Sequence, residues 1–210
     1  MNSASAQRTA AAAGLRQVGH DIVGHNVDEQ LLGSLANALA EYSEQMRQYA
    51  PRSRGVADVA SSVHAAPAEG GLLPNWDERP ISGQASPWSL EPEMRRLGDG
   101  VVAKVTFHAA HEGAPGRAHG GLVAALFDDI LGAVLSVVGL GAFTGELSVR
   151  YAAPTPLHRE LLCTCRLTER DGRKLYMTGE LTDQGVVICT TKATFIIPKT
   201  PFTHTTFGPG

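Results

Sequence analysis

The chain has 210 residues, of which 43% are hydrophobic and 19% charged, and its net charge is -3. These values are typical of a soluble globular protein, and the length favours one domain with an extension, or at most two small domains. Lysine and arginine are scattered without forming a basic stripe, which argues against nucleic-acid binding. The odd count of three cysteines, together with an N-terminus unlike a secretory signal, predicts reduced thiols and a cytoplasmic location.

The N-terminal part of the chain carries weak structural signals. Residues 1–20 are rich in alanine and serine, and we expect them to form a disordered tail. Within the following segment, 21–71, residues 27–49 place apolar side chains at helical spacing. Pro51 ends that pattern, so the segment is predicted to be a helix followed by a linker.

Residues 72–98 combine prolines and glycines with two tryptophans, Trp76 and Trp88. This composition predicts an irregular segment that covers another part of the molecule. The tryptophans would either provide apolar contacts in a lid over a binding tunnel or simply pack against the surface. The sequence does not distinguish these two roles.

A regular pattern begins at residue 99 and continues to residue 198, and we expect a short tail at 199–210. Val101 to Phe107 alternate between apolar and polar positions, which predicts a half-buried strand. An apolar helix is predicted next, followed by four more strands, the last three joined by tight hairpins. These elements are the helix 120–138 and the strands 143–152, 160–169, 173–182 and 186–197.

The apolar stretch from Leu122 to Val138 is close to the minimum length for a membrane span. Asp128 and Asp129 would then lie at mid-membrane, at a cost of about 2.5–3.5 kcal/mol each. We therefore predict no membrane span and a buried helix instead. One five-stranded sheet cannot cover such a helix on every side, so we expect the sheet to curl round it and a second copy of the protein to complete its burial.

The start of this helix has the most informative residues of the chain. His119, Gly120 and Gly121 stand where a helix exposes unpaired N–H groups and the positive end of its dipole. Asp128 follows within the apolar stretch, where a carboxylate is costly unless it is paired or used. The alternative interpretation is a loop histidine, turn glycines and a solvated helix edge.

Two motifs resemble a known family. The run G-x-x-H-G-G-(x6)-D from Gly116 to Asp128, and the run TGELSVRYAAPTP from Thr144 to Pro156, are similar to those of hotdog-fold acyl-CoA thioesterases of the PaaI-like and THEM4-like group. The resemblance covers roughly residues 80–198. It implies an α+β hotdog fold, an antiparallel sheet of about five strands wrapped round one long central helix. It also implies an acyl-CoA substrate, a place in fatty acid metabolism and no cofactor beyond the coenzyme A of the substrate.

The resemblance also implies a role for each matching residue. Asp128 corresponds to the catalytic carboxylate, acting as general base on water or as nucleophile, and Thr144 to the residue that positions the carboxylate or water. Gly120 corresponds to the backbone N–H that polarises the thioester carbonyl, and His119 to the residue that helps hold that carbonyl. Gly121, beside them, permits close approach of the substrate.

Two residues need separate comment, Asp129 and Thr144. Asp129 matches no family position and is expected to be a bystander. Strict alternation turns Thr144 away with Glu146, so a β-bulge or strand end is needed to re-aim it.

The spacing of His119 and Asp128 has a geometric consequence. Nine helical residues turn about 900° and rise about 13–14 Å, which leaves the two on opposite faces of the helix. If both lie on or against a regular helix, they cannot meet within one chain. We therefore expect a homodimer, or a dimer of dimers, with sites shared between chains.

Three alternatives remain open at the level of sequence. Another hotdog enzyme, an enoyl-CoA hydratase or dehydratase, also pairs a histidine with a carboxylate. A non-catalytic acyl-CoA-binding protein would retain the same fold. A metal site formed by His108, His111, His119 and Asp128 is disfavoured because these residues do not share one helix face, and we predict no metal.

Overall fold

The computed structural model describes residues 6–52, 66–73 and 78–199 of the chain. A six-stranded antiparallel sheet packs against one central helix, which confirms the predicted α+β architecture. The helices are α1 (Ala6–Gly24), α2 (Glu29–Arg47) and α3 (Gly120–Val137), and a 3₁₀ turn spans Ala109–His111. The strands are β1 (Glu93–Leu97), β2 (Gly100–Thr106), β3 (Phe143–Tyr151), β4 (Glu160–Asp171), β5 (Lys174–Asp183) and β6 (Val186–Ile196).

The strand order in the sheet is β1-β2-β4-β5-β6-β3. Strands β4, β5 and β6 form the predicted meander, and each neighbouring pair is antiparallel. Gln184 and Gly185 both have positive φ angles, 48° and 83°, between β5 and β6. Two central residues of this kind match the twist of a two-residue hairpin. Strand β3 returns to pair with β6 and forms one edge of the sheet.

Helix α3 lies in the hydrophobic core and is the one helix among the described residues that is long and apolar enough to cross a membrane. Eight of its residues are buried against the sheet, so it is a core helix: Val123, Leu126, Phe127, Ile130, Leu131, Ala133, Val134 and Leu135. Each large side chain buried in this way contributes about 1.5–3 kcal/mol. The opposite face is not fully covered within one chain; it carries Gly121, Ala124, Ala125, Asp128 and Gly132.

The expectation of about five strands missed β1. This strand lies inside 72–98, which we predicted to be irregular, and it pairs antiparallel with β2. Met94 is its one buried residue, while its other side chains are charged or at least partly exposed. A strand at the sheet edge with one buried side chain lacks the apolar alternation by which strands are recognised.

The prediction of a disordered tail over residues 1–20 is wrong for residues 6–20, because α1 occupies them. Alanine has the highest helix propensity, and α1 contains four consecutive alanines. Tertiary contacts fix the helix: the buried Arg16 donates hydrogen bonds to the carbonyl oxygens of Gln84 and Ser86, at 3.0 and 2.5 Å, and pairs with Glu91. An arginine inside an alanine-rich stretch gave no sequence signal of burial.

Helix α2 confirms the helical pattern at 27–49. Asp28 caps it by accepting a hydrogen bond from the Leu31 N–H at 2.9 Å. The linker expected after it falls largely on residues outside those described.

Before β1, residues 78–92 of the covering segment contain no helix or strand. Several of its residues are buried, among them Ser82, Ala85, Ser86, Ser89 and Leu90. Trp88 is 75% exposed in the single chain, and Trp76 lies outside the described residues. The apolar role suggested for the two tryptophans stays a prediction.

Candidate functional site

The N-terminus of α3 is capped by His119, whose backbone is extended while Gly120 begins the helix. Its Nδ1 accepts a hydrogen bond from the Gly121 N–H at 3.0 Å. Since a backbone N–H can only donate, Nδ1 carries no proton, and the neutral imidazole has its proton on Nε2. The exposed side chain therefore offers an Nε2–H donor at the start of the helix.

Gly120 provides the first N–H of α3. No described residue accepts a hydrogen bond from this N–H, as expected for the first turn of a helix. Together with the helix dipole and the His119 Nε2–H, it forms a group of donors suited to an oxyanion. The Gly121 N–H is already used by His119, so the contribution of Gly121 to substrate binding stays a prediction.

Residues before the motif hold His119 in place. The His119 N–H donates to the His111 carbonyl oxygen at 2.8 Å. A Cβ added at Gly113 would stand 2.8 Å from the His119 Cα, so only glycine allows this close approach. Sequence reasoning missed both contacts; the one signal was the glycine and proline content of the loop.

Asp128 lies about two turns of helix beyond Gly121 and is partly exposed on the uncovered face of α3. The Thr144 hydroxyl donates to its Oδ1 at 2.7 Å, which brings together the two residues that the resemblance paired. The register of β3 against β6 shifts between Thr144 and Glu146. Strict alternation would point Thr144 away from the helix. The bulge reverses this direction, so the Thr144 side chain points towards α3.

Asp129 has different partners from Asp128. Its Oδ1 is 3.2 Å from a guanidinium nitrogen of Arg79, in the covering segment. Its Oδ2 is buried and accepts no hydrogen bond from the described part of the chain. Asp129 thus takes part in an ion pair with the covering segment, and the bystander role expected for it stays a prediction.

The two halves of the motif do not meet. His119 caps α3 and Asp128 lies within its regular span, so the condition of the spacing argument holds. The rise between them is about 13–14 Å. Within one chain, the N–H donors at the start of α3 and the Asp128 carboxylate are therefore too far apart to form one site.

Tyr151, at the end of β3, contacts the same helix start. Its hydroxyl donates to the Gly120 carbonyl oxygen at 2.6 Å, and the side chain remains 49% exposed. Burial of the hydroxyl, and then the nearby Cys189, raises the pKa of Tyr151, which keeps it protonated as a donor. The tyrosine was noted as part of a motif but was given no role; its position after the bulge, on the inward face with Leu147 and Val149, could have indicated one.

A cluster of three histidines adjoins the segment that holds His119. It consists of His20 of α1, His108, and His111 of the 3₁₀ turn. The rings of His20 and His111 are 4.7 Å apart between centroids. Desolvation lowers the pKa of all three, and for His111 it acts with His20 and His108 to bring the pKa to about 4. Two of the rings use Nδ1 to accept backbone N–H groups, from Ala110 and His108.

The disfavoured metal arrangement is not assembled. Among residues 6–52, 66–73 and 78–199, no three histidine, cysteine or acidic side chains are grouped as a metal ion requires. His119 directs its Nδ1 to a backbone N–H instead. The cysteines Cys163 and Cys165 are fully buried in the core, with their sulfur atoms 4.0 Å apart.

Comparison with known proteins identifies the class to which this fold and site correspond. Residues 115–190 match a family model described as the thioesterase superfamily. A crystal structure of a thioesterase superfamily protein, RHA08564, is similar with a TM-score of 0.78 and 25% identity, over 93% of this chain and 97% of that one. The chain has the hotdog fold, as the motifs predicted, and the similarity to RHA08564 extends beyond the matched family region.

Two curated acyl-CoA thioesterases are similar in sequence. THEM4 of Xenopus laevis is 30% identical over 88 residues, which is 42% of this chain and 40% of THEM4. Human THEM5 is 31% identical over 87 residues, 40% of this chain and 35% of THEM5. The resemblance to the acyl-CoA thioesterase group is thus confirmed, over well under half the length of these relatives.

Proposed function

We propose that this protein hydrolyses acyl-CoA thioesters to a free acid and coenzyme A, without a further cofactor. The observation that carries the proposal is the pairing of Thr144 with Asp128 at 2.7 Å, on a helix whose start offers the donors of Gly120 and His119. Similarity to two acyl-CoA thioesterases supports the substrate class.

The donors at the helix start suit the electrophilic half of the reaction. Attack on a thioester carbonyl places negative charge on its oxygen, which the Gly120 N–H and the His119 Nε2–H would stabilise by several kcal/mol. Collapse of the tetrahedral intermediate breaks the carbon–sulfur bond. Since a thiolate is a good leaving group, the reaction needs no strong general acid.

Asp128 supplies the other half. As a general base it accepts a proton from the attacking water; as a nucleophile it forms an anhydride that water then hydrolyses. The Thr144 hydroxyl fixes one carboxylate oxygen in either case, while Oδ2 accepts no hydrogen bond from any described residue. Both routes are compatible with this arrangement.

The two halves require two chains. Strand β3 is nine residues long and forms the edge of the sheet, with Phe143 and Tyr151 each 49% exposed at its ends. Edge strands of this length are normally paired or protected. A second copy that pairs along β3 would cover the open face of α3 and bring Asp128 of one protomer to the helix start of the other. We propose such a homodimer, alone or within a dimer of dimers, in the cytoplasm.

The catalytic assignment is tested by release of free thiol from a panel of acyl-CoA esters. We expect Asp128→Asn to lower kcat at least about 100-fold, because it removes the base. Asp129→Asn is the matched control, a neighbouring carboxylate held by Arg79, and it should retain wild-type kcat within about threefold. Equal turnover by wild type and Asp128→Asn would refute the assignment, and hydration of an enoyl-CoA without thiol release would indicate a hydratase.

The shared site is tested by complementation. Protomers with Asp128→Asn are co-expressed with protomers carrying His119→Ala, using two affinity tags to isolate the mixed dimer. If each site joins two chains, one of the two sites in the mixed dimer is intact, and about half of the wild-type activity returns. A mixed dimer as inactive as its parents would contradict a shared site.

A further inference from the structure

Gly120 and Gly121 are the most flexible residue type, yet they stand where the proposed reaction needs fixed donors. The peptide unit that joins them is held at both ends. Its carbonyl oxygen, on Gly120, accepts the Tyr151 hydroxyl at 2.6 Å, and its N–H, on Gly121, donates to His119 Nδ1 at 3.0 Å.

The direction of each hydrogen bond in this series is fixed by chemistry. A carbonyl oxygen can only accept, so the phenol of Tyr151 donates. A backbone N–H can only donate, so His119 Nδ1 accepts, and the imidazole proton is on Nε2. The Tyr151 hydroxyl, the Gly121 N–H and the His119 Nε2–H therefore all donate in the same direction along this series. Hydrogen bonds aligned in this way polarise one another.

Gly120 and the ring of Tyr151 lie close together. A Cβ there would stand 3.4 Å from both the Cζ and Oη atoms of Tyr151. A Cβ at this distance would be in ordinary van der Waals contact with the ring, so the tyrosine lies directly against the start of the helix. This close approach places the hydroxyl within hydrogen-bond distance of the Gly120 carbonyl.

We propose that Tyr151 is a positioning residue for the oxyanion donors: through the Gly120–Gly121 peptide, it fixes the orientation and the Nε2–H tautomer of His119. The role rests on the proposed thioester hydrolysis for its kinetic consequence. Its structural consequence, the tautomer of His119, does not depend on that reaction.

The kinetic test compares Tyr151→Phe with wild type. The variant keeps the ring and removes only the donor, so we expect kcat to fall about two- to tenfold, as for the loss of one neutral hydrogen bond, with KM within about twofold. Tyr176→Phe is the matched control. Tyr176 lies on β5 between the buried Leu175 and Met177, on the outer face of the sheet, and its loss of a hydroxyl should leave kcat unchanged.

The spectroscopic test uses protein labelled with ¹⁵N at histidine, at about pH 8, where an ordinary imidazole is neutral. The His119 resonances are assigned by their loss in His119→Gln. In wild type we expect one acceptor-type and one protonated nitrogen; in Tyr151→Phe the two shifts should move towards each other as the second tautomer is populated. Thermal unfolding of each variant verifies the fold.

The outcomes separate the two proposals. A lower kcat together with averaged His119 shifts supports the positioning role. Unchanged His119 shifts in Tyr151→Phe, or a rise in KM with kcat unchanged, overturn it. If wild type releases no thiol from any acyl-CoA, the proposed hydrolysis fails, while the ¹⁵N spectra still decide the role of Tyr151.

Discussion

The folded protein should lose stability in mild acid through one buried side chain, His111. The residue is 9% exposed, its Nδ1 accepts the His108 N–H at 2.9 Å, and its ring lies edge-on to Phe107. Burial, followed by the nearby His20 and His108, lowers the pKa of His111 from 6.5 to about 4. Protonation of Nδ1 would also remove the acceptor of the His108 N–H.

The sign and size of the effect follow from proton linkage. Between pH 6.5 and about 4 the unfolded chain binds a proton at His111 that the folded chain does not, so stability decreases as the pH falls. The contribution is complete above pH 6.5 and is lost progressively down to about pH 4. At about 1.4 kcal/mol for each pKa unit, the loss approaches about 3 kcal/mol.

The prediction is measured by urea unfolding of wild type and His111→Asn from about pH 7.5 to about pH 4, at one protein concentration because we expect an oligomer. Asparagine keeps an acceptor near the position of Nδ1 but does not titrate. We expect wild type to be more stable by about 1–2 kcal/mol at pH 7.5, from its larger buried ring, and to lose that advantage in acid. The exposed His25→Asn is the control. Parallel stability curves for wild type and His111→Asn would refute the reasoning.

Two glycine substitutions test close contacts. Gly113→Ala should displace His119, whose Cα would be 2.8 Å from the new Cβ, and lower kcat in the acyl-CoA assay about tenfold or more with little change in the unfolding midpoint; wild-type kcat would contradict the contact. Gly100→Ala drives a Cβ into the Cys165 carbonyl on β4 and should reduce the unfolding free energy by about 1–3 kcal/mol, whereas Gly14→Ala, with open space in α1, should not reduce it.

The sequence predicted the elements from α3 to β6 well because two strong signals coincide there. Helix α3 is apolar nearly all round. The turns between β4, β5 and β6 are marked by the pairs Asp-Gly and Gln-Gly. Thr144 illustrates the limit of such signals. Alternation alone turned it outwards, and the bulge that reverses it depends on its register with β6, which a single strand does not encode.

The elements that sequence reasoning missed share a different cause. Strand β1 and helix α1 are both held by contacts to distant parts of the chain, β1 by pairing with β2 and α1 by Arg16. Neither has a pronounced apolar period, because few of their residues are buried. Tertiary contacts of this kind override local pattern, and they are not visible until the partner segments are brought together.

The same contacts connect the N-terminal extension to the candidate site. His20 of α1 accepts the Ala110 N–H at 3.1 Å, within the 3₁₀ turn, and the His111 carbonyl at the end of that turn accepts the His119 N–H at 2.8 Å. Two hydrogen bonds in series thus link α1 to the residue that caps α3. Since His20 lies far outside residues 115–190, the geometry at the start of α3 depends on more than the residues matched by the family model.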